Sequence, residues 1–129
     1  MSDSKTRVFV VDSSEVWRKI LINHIAGVDD LEVVGEINSG QGAILMLDEL
    51  KPDIVMLEVS AKNSAAMVKF ISNIHAIDPS VRLILCVDAS RKQEILATFD
   101  VGIQDFITKP YKKQEVLRAI YRCLEEPIV

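Results

Sequence analysis

The sequence lacks the features that mark membrane and secreted proteins. Its unbroken apolar runs, such as Leu83 to Val87, fall well short of the roughly 18 residues that a membrane span requires. The amino terminus has no apolar segment of signal-peptide length. Only two cysteines occur, Cys86 and Cys123, and their spacing suggests neither a zinc site nor redox chemistry. We therefore expect a cytoplasmic protein with reduced thiols.

Positive charge is also scarce. Lysine and arginine number 15 against 19 acidic residues, which gives a net charge of -4, and the pI is about 5.1. A protein of this charge does not attract phosphate backbones, so we expect no direct contact with nucleic acid. Hydrophobic residues make up 49% and charged residues 26%, a balance that excludes a disordered tail and a membrane protein. The length predicts one globular domain over residues 1–129, with its core at about 7–124.

Short β-branched runs alternate with segments of helical period, which is the pattern of stacked βαβ units. The predicted strands are Arg7 to Val11, Leu31 to Val34, Asp53 to Val59, Val81 to Val87 and Gln104 to Thr108. Right-handed crossovers then give a doubly wound α/β fold, a five-stranded parallel sheet with helices on both faces.

The segments between these strands have the apolar stripes and end signals of helices. The first helix carries Val16, Trp17, Ile20, Leu21 and Ile25; the second, from Gln41 to Leu50, turns Ile44, Leu47 and Leu50 inward; the third carries Met67, Phe70, Ile71, Ile74 and Ile77; the fourth carries Ile95, Leu96 and Phe99; and the last carries Val116, Leu117, Ile120 and Leu124. Ser13 and Ser14 are predicted to cap the first helix, and Ser90 the fourth, which should stop at Gly102.

Four charged residues follow strands of the predicted sheet. They are Asp12, Glu58, Asp88 and Lys109. Ligands of doubly wound sheets bind beyond the carboxyl ends of the strands, so these positions are the candidate functional site. Each alone is readily explained as a solvated loop charge. Three acids and one lysine at four strand ends form a pattern that local packing does not require.

Other kinds of site fit the sequence less well. A phosphate cradle at Ser13 and Ser14 would be flanked by the negative charge of Asp12 and Glu15. The pair Gly40-x-Gly42 lacks the third glycine of a dinucleotide fingerprint and does not directly follow a strand. A phosphohydrolase with a nucleophilic Asp12 would want a second acid where Ser14 stands. His24 and His75 lie in helical segments without nearby partner ligands. We therefore do not expect an enzyme.

The chain resembles a response-regulator receiver domain of the chemotaxis type over almost its whole length. The likeness is found in Val10-Val11-Asp12-Ser13-Ser14, Val33-Val34-Gly35-Glu36, Lys51-Pro52-Asp53-Ile54-Val55-Met56-Leu57-Glu58 and Asp105-Phe106-Ile107-Thr108-Lys109-Pro110. The resemblance implies strand order 2-1-3-4-5 and a role in two-component signalling. It also implies that an aspartate after the third strand accepts a phosphoryl group from a histidine kinase. A divalent metal would be held by that aspartate and by an acidic pair after the first strand.

The sequence departs from this pattern at several positions. The phosphoacceptor position is Glu58, the second member of the acidic pair is Ser13, and the hydroxyl residue expected after the fourth strand is Asp88. In the loop after Glu58, the family's usual proline and glycine are replaced by Lys62 and Ala66. Lys109 with its following proline and the aromatic residue Phe106 are retained. The scaffold is thus kept while the set of reacting residues is altered.

Each replacement is expected to impair phosphotransfer. Glu58 moves the carboxylate by one methylene, and a displacement of ~1 Å can cost on the order of a hundredfold in rate. An ionised Asp88 about 4 Å from phosphoryl oxygens would repel them by roughly 4 kcal/mol at an effective dielectric of about 20. Ser13 removes a charged oxygen ligand. We therefore expect at most weak Mg²⁺ binding by Asp12, Glu58 and Ser60, and no cofactor to be required.

These observations predict a receiver-like module that acts by protein contact and is not switched by aspartyl phosphorylation. The expected partner is a histidine kinase, a phosphotransfer protein or an output target, with a homodimer as a further alternative and no membrane contact. The switch positions Asp88 and Phe106 should stay in one state, with Lys109 expected within salt-bridge reach of Glu58 or Asp88. The predicted partner face comprises Ile95, Phe99, Ile103, Tyr111 and Arg118. The alternative interpretation is a working response regulator that accepts phosphate on Glu58 and dephosphorylates itself.

Overall fold

The computed structural model describes residues 4–60, 62–97 and 105–125. Its elements, in chain order, are β1 (Thr6–Val11), α1 (Glu15–Ile25), β2 (Leu31–Ile37), α2 (Gly40–Leu50), β3 (Ile54–Glu58), α3 (Ser64–Ile77), β4 (Arg82–Asp88), a 3₁₀ turn (Ala89–Arg91), α4 (Lys92–Leu96), β5 (Asp105–Lys109) and α5 (Lys113–Glu125). The predicted Gln104 at the start of the last strand and Gly102 at the end of the fourth helix lie outside the described residues.

The five strands form one parallel sheet in the order β2-β1-β3-β4-β5. This confirms the predicted fold and strand order. Alternate residues of the central strands point to opposite faces, so that Val8 and Val10 pack with α1 and α5 while Phe9 and Val11 pack with α2 and α3. Both faces are therefore buried, which explains why the central strands are apolar throughout.

The details of several elements differ from the predictions. Strand β2 runs to Ile37, three residues beyond the predicted end, because it pairs with β1 as far as Val11. Val16 was expected in the core, but it is 66% exposed, since α1 turns Leu21 and Ile25 toward the sheet. Ile77, the last residue of α3, is likewise 45% exposed rather than buried.

Local hydrogen bonds explain where the helices begin. Ser14 caps α1 by accepting from the amide of Trp17 at 3.3 Å, as predicted. Ser39 caps α2 by accepting from the amide of Gly42 at 3.2 Å. A Cβ at Gly42 would lie 2.5 Å from Ile37 Cδ1, so this glycine permits close packing between α2 and β2. Among the residues that the structure describes, no helix has the length and apolar character that a membrane span needs.

Candidate functional site

Three of the four charged strand-end residues meet at the carboxyl ends of β1, β3 and β5. The ammonium Nζ of Lys109 lies 2.9 Å from Asp12 Oδ2 and 3.5 Å from Glu58 Oε2. The side chains of Asp12 and Lys109 are only 3% and 9% exposed, and that of Glu58 is 21% exposed. The predicted contact between Lys109 and Glu58 is confirmed, and Asp12 shares the same ammonium.

The carboxylate of Glu58 is also held from the side of β1. Its Oε1 accepts a hydrogen bond from the Ser13 amide at 3.0 Å and another from the Ser13 hydroxyl at 2.9 Å. Glu58 stands at the end of β3, beside β1 in the sheet, so its longer side chain bridges the two strand ends. Each of its two oxygens therefore has a partner of its own.

Asp12 is fixed by the first turn of α1. Its Oδ1 accepts from the Ser14 amide at 2.8 Å, and its backbone carbonyl accepts from Arg18 Nη1 at 2.7 Å. Arg18 Nε also donates to Glu36 Oε1 at 2.9 Å. The guanidinium thus links β1, α1 and the carboxyl end of β2, and it holds the backbone on which Asp12 stands.

The two carboxylates respond differently to this environment. Burial raises the pKa of Asp12 above its ordinary value, and this outweighs the opposing effects of the Ser14 amide and of Lys109. Burial is also the largest influence on Glu58, but the Ser13 hydrogen bonds and the Lys109 charge together hold the pKa of Glu58 below its ordinary value. The Ser13 contacts therefore favour an ionised Glu58.

Aromatic side chains cover the Lys109 ammonium on the α1 side. Nζ lies 5.2 Å from the centroid of the Trp17 ring, and the Trp17 and Tyr111 rings are nearly perpendicular, with 5.5 Å between their centroids. Behind them, burial raises the pKa of the Cys86 thiol to about 12, so Cys86 is a neutral core residue. Burial likewise raises the pKa of Tyr111. These apolar surfaces shield the ion pair from water.

Asp88 does not join this cluster, although it was expected to. It pairs with Lys109 in the register of β4 and β5, but its side chain is exposed and turns to Ser90. Oδ1 accepts from the Ser90 amide at 2.9 Å and from the Ser90 hydroxyl at 2.6 Å. These two bonds from Ser90 lower the pKa of Asp88. Because Asp88 is exposed, water and dissolved ions screen its charge and weaken any repulsion toward a phosphoryl group, and the expected repulsion itself stays a prediction.

Asp88 also takes the capping role predicted for Ser90. It is the N-cap of the 3₁₀ turn Ala89–Arg91, and α4 begins only at Lys92. The prediction that Ser90 caps the fourth helix is therefore wrong. An aspartate at this position accepts a hydrogen bond from the backbone amide two residues further on, as short acidic side chains before a turn commonly do.

The divalent metal that the resemblance implies does not fit these residues. Glu58 offers one oxygen to Ser13 and the other to Lys109, and Asp12 is engaged by Ser14 and Lys109. The backbone of Ser60 is turned to Asn63, which it contacts through both its amide and its carbonyl. Within residues 4–60, 62–97 and 105–125, no group of three His, Cys, Asp or Glu side chains lies close enough together to hold a metal ion.

The predicted partner face is only partly at the surface. Ile95 and Tyr111 are 2% and 8% exposed and pack in the two cores, so in this conformation they do not offer a contact surface. Arg118 is exposed. Phe106, at the same surface, is half-buried with Lys92 Nζ 5.1 Å from its ring centroid. Phe99 and Ile103 lie outside the described residues.

Sequence reasoning missed two parts of the site. Ser13 was interpreted as a helix cap and as the loss of a metal ligand, not as a partner of Glu58, and Trp17 was interpreted only as a core residue. A signal for the first was present, because the longer side chain of Glu58 and the hydroxyl of Ser13 are both replacements at neighbouring strand ends. A longer acceptor opposite a new donor indicates a hydrogen bond between them.

Comparison with known proteins identifies the family. Residues 8–121 match the family model described as the response regulator receiver domain. The chain belongs to this family. It is therefore a receiver domain of the kind found in two-component signalling, as its motifs had predicted.

Several relatives of this receiver domain are chemotaxis proteins that the match covers over almost their whole length. The chain is 31% identical over 114 residues to the chemotaxis protein CheY of Listeria monocytogenes, covering 88% of this chain and 94% of that protein. It is 31% identical to CheY of Thermotoga maritima, covering 88% of this chain and 93% of the relative. It is also 29% identical to the protein CcdB of Bacillus subtilis, over 92% of this chain and 98% of the relative.

Solved structures agree with this assignment. The response regulator domain of Thermotoga maritima CheB is 26% identical and superposes with a TM-score of 0.71, covering 95% of this chain and 99% of that chain. The isolated receiver domain of RcsB from Salmonella enterica superposes with a TM-score of 0.81 at 16% identity, over 98% of this chain and 93% of that chain. The second likeness concerns the fold alone.

Proposed function

We propose that this receiver domain serves two-component signalling by binding another signalling protein, and that it does not switch by aspartyl phosphorylation. The partner is a histidine kinase, a phosphotransfer protein or an output target. The domain has no catalytic turnover of its own under this proposal. The observation that most favours it is the state of Glu58, whose two carboxylate oxygens are both engaged.

A phosphoacceptor must present one free carboxylate oxygen to the incoming phosphorus. Here the two donors of Ser13 occupy both lone pairs of Oε1, so attack by this oxygen would break a hydrogen bond, and the Lys109 ammonium 3.5 Å from Oε2 lowers the nucleophilicity of the other oxygen. In addition, the added methylene displaces the carboxylate by ~1 Å from the place of an aspartate, which costs on the order of a hundredfold in rate. Both effects oppose transfer to Glu58.

The residues that would couple phosphorylation to the partner surface are altered as well. A switch needs a ligand that binds two conformations with different affinity. Asp88 stands where the family has a hydroxyl, but its carboxylate accepts two hydrogen bonds from Ser90 and is exposed. An ionised carboxylate has no proton to donate to a phosphoryl group. We therefore expect a single state of Phe106, with partner contact through the surface that includes Phe106, Lys92 and Arg118.

Treatment with acetyl phosphate and Mg²⁺, followed by intact mass measurement, tests this proposal. We expect the wild-type protein to keep its mass. The matched control is the variant Ser13→Asp/Glu58→Asp/Asp88→Thr, which restores the family's residues on the same scaffold and should gain one phosphoryl group. Modification of the wild-type protein that disappears in Glu58→Gln would overturn the proposal in favour of a working phosphoacceptor.

Beryllofluoride with Mg²⁺ provides a second arm of the same test. If the domain is fixed in one state, the amide NMR signals of β5 and α4 should stay in place when the analogue is added. Signals that shift from Glu58 through to Phe106 would show that the domain still switches. The restored variant again supplies the positive control.

A further inference from the structure

We infer that Ser13 is a positioning residue for Glu58, and that this pair makes the site independent of a divalent cation by using Lys109 in its place. The inference deepens the proposed function and rests on its assignment of a non-reacting role to Glu58. It concerns two residues that are separated by 45 positions in the chain but joined by two hydrogen bonds.

The length of the Glu58 side chain determines which donors it can meet. The Ser13 amide and hydroxyl both donate to the same oxygen of Glu58, at 3.0 and 2.9 Å, while Lys109 lies 3.5 Å from the other. A carboxylate shortened by one methylene would be withdrawn from β1 and would no longer meet both Ser13 donors. The glutamate at 58 and the serine at 13 therefore suit each other.

The charge of the cluster also favours a serine at position 13. Asp12 and Glu58 carry two negative charges and Lys109 one positive charge, so the cluster has a net charge of -1 when all three are ionised. An aspartate at position 13 would bring a third carboxylate against Glu58 Oε1, where two donors now stand. Such repulsion is costly in a site whose lysine and Asp12 are almost fully buried. Ser13 removes this charge and supplies a donor in its place.

The Ser13–Glu58 pair also limits the binding of metal. A divalent cation prefers several charged oxygen ligands that are free to turn toward it. The Glu58 carboxylate is turned toward Ser13. Replacing only one of these two residues is therefore not expected to restore a metal site. Ser13→Asp keeps the long Glu58 and adds repulsion, whereas Glu58→Asp frees the carboxylate but leaves only two acids. Only the double replacement restores three carboxylates of ordinary length around Lys109.

Thermal unfolding in EDTA and in about 10 mM MgCl₂ tests the inference on the wild-type protein, both single variants and Ser13→Asp/Glu58→Asp. We expect Mg²⁺ to raise the Tm of the double variant by about 5 °C, as binding near 1 mM would. The wild-type and both single variants should shift by less than about 1 °C under the same linkage. An equal shift in either single variant, or a shift of this size in the wild-type protein, would overturn the inference.

Ser13→Ala and Ser13→Thr test the positioning role without relying on the folding of the double variant. In metal-free buffer, Ser13→Ala should lower the Tm by roughly 2–4 °C, because it removes one donor to a charged acceptor. Ser13→Thr keeps the hydroxyl and should recover most of that loss. The same loss in both variants, or no loss in Ser13→Ala, would show that the hydroxyl does not hold Glu58. Phosphorylation of the wild-type protein would instead overturn the proposed function while leaving these Tm differences unchanged.

Discussion

Two carboxylate sites at the same edge of the sheet have opposite characters. Asp12 and Glu58 share a nearly buried lysine and are tied to each other through the ends of three strands. Asp88, which pairs with Lys109 in the strand register, is exposed and satisfied by Ser90 two residues away. Position in the topology thus brings charges to one edge, while local hydrogen bonds determine which of them act together.

Removal of the shared cation should give the largest effect. Lys109→Met keeps most of the side-chain volume but leaves the nearly buried Asp12 and the half-buried Glu58 without their cation. We expect a loss of about 3 kcal/mol in the free energy of unfolding at pH 7, measured with urea. The control Lys19→Met breaks only the exposed pair with Glu15 and should lose little. Equal losses in both variants would contradict a stabilising role of Lys109 between Asp12 and Glu58.

The pH dependence of stability separates Glu58 from its neighbours. Since the pKa of Glu58 is lowered in the folded protein, its ionised form stabilises the fold above its ordinary pKa of 4.5, and this contribution is lost as the pH falls through the lower folded value. Glu58→Gln should therefore be less stable than wild type by about 1 kcal/mol at pH 7.

The difference between these two proteins should shrink toward pH 3. Asp12 has a raised pKa and acts in the opposite direction, and because burial is the largest cause of this shift and the charge of Glu58 the smallest, most of its effect is common to both proteins. Urea unfolding at several pH values gives the measurement, with the exposed Glu49→Gln as a matched control. A difference that stays constant with pH would contradict an ionised Glu58 held by Ser13 and Lys109.

The smallest effect is expected at Asp88. Asp88→Ala removes the cap of the turn before α4, so we expect a slight fall in Tm, below that of Glu58→Gln. Asp88→Asn keeps an acceptor for the Ser90 amide and should match the wild-type protein. Both variants should leave the NMR signals of Ser13 and Glu58 unchanged. Shifts of the Ser13 signals in either variant would show that Asp88 is coupled to the Asp12–Glu58–Lys109 cluster, and would contradict the independence of the two sites.

The sequence predicted the sheet and the charged edge well, because both follow from periodic features. Continuous apolar runs indicated strands covered on both faces, and the order of the elements placed Asp12, Glu58 and Lys109 at neighbouring strand ends. The predictions were wrong where one residue could lie on either of two helix faces or bond to either of two partners. Val16 lies in the first turn of α1, at the border of its apolar stripe, and the pattern alone does not show on which side of that border it falls.

The pairings inside the site were harder to predict. An aspartate can bond its own following backbone or reach across to a charged neighbour, and Asp88 takes the first course while Asp12 takes both. Sequence spacing does not distinguish these alternatives, because they differ by one side-chain rotation. The contact of Ser13 with Glu58 similarly depends on the reach of a flexible side chain across two strands.

The aromatic cover of Lys109 has a practical consequence. Trp17 is the chain's only tryptophan, and its indole lies beside the Lys109 ammonium and nearly perpendicular to the Tyr111 ring. Indole emission responds to a nearby charge and to water, so the fluorescence of the unlabelled protein reports on one lysine. Any kinase, phosphotransfer protein or ion that moves Lys109 can thus be followed optically and in real time, at protein concentrations too low for NMR.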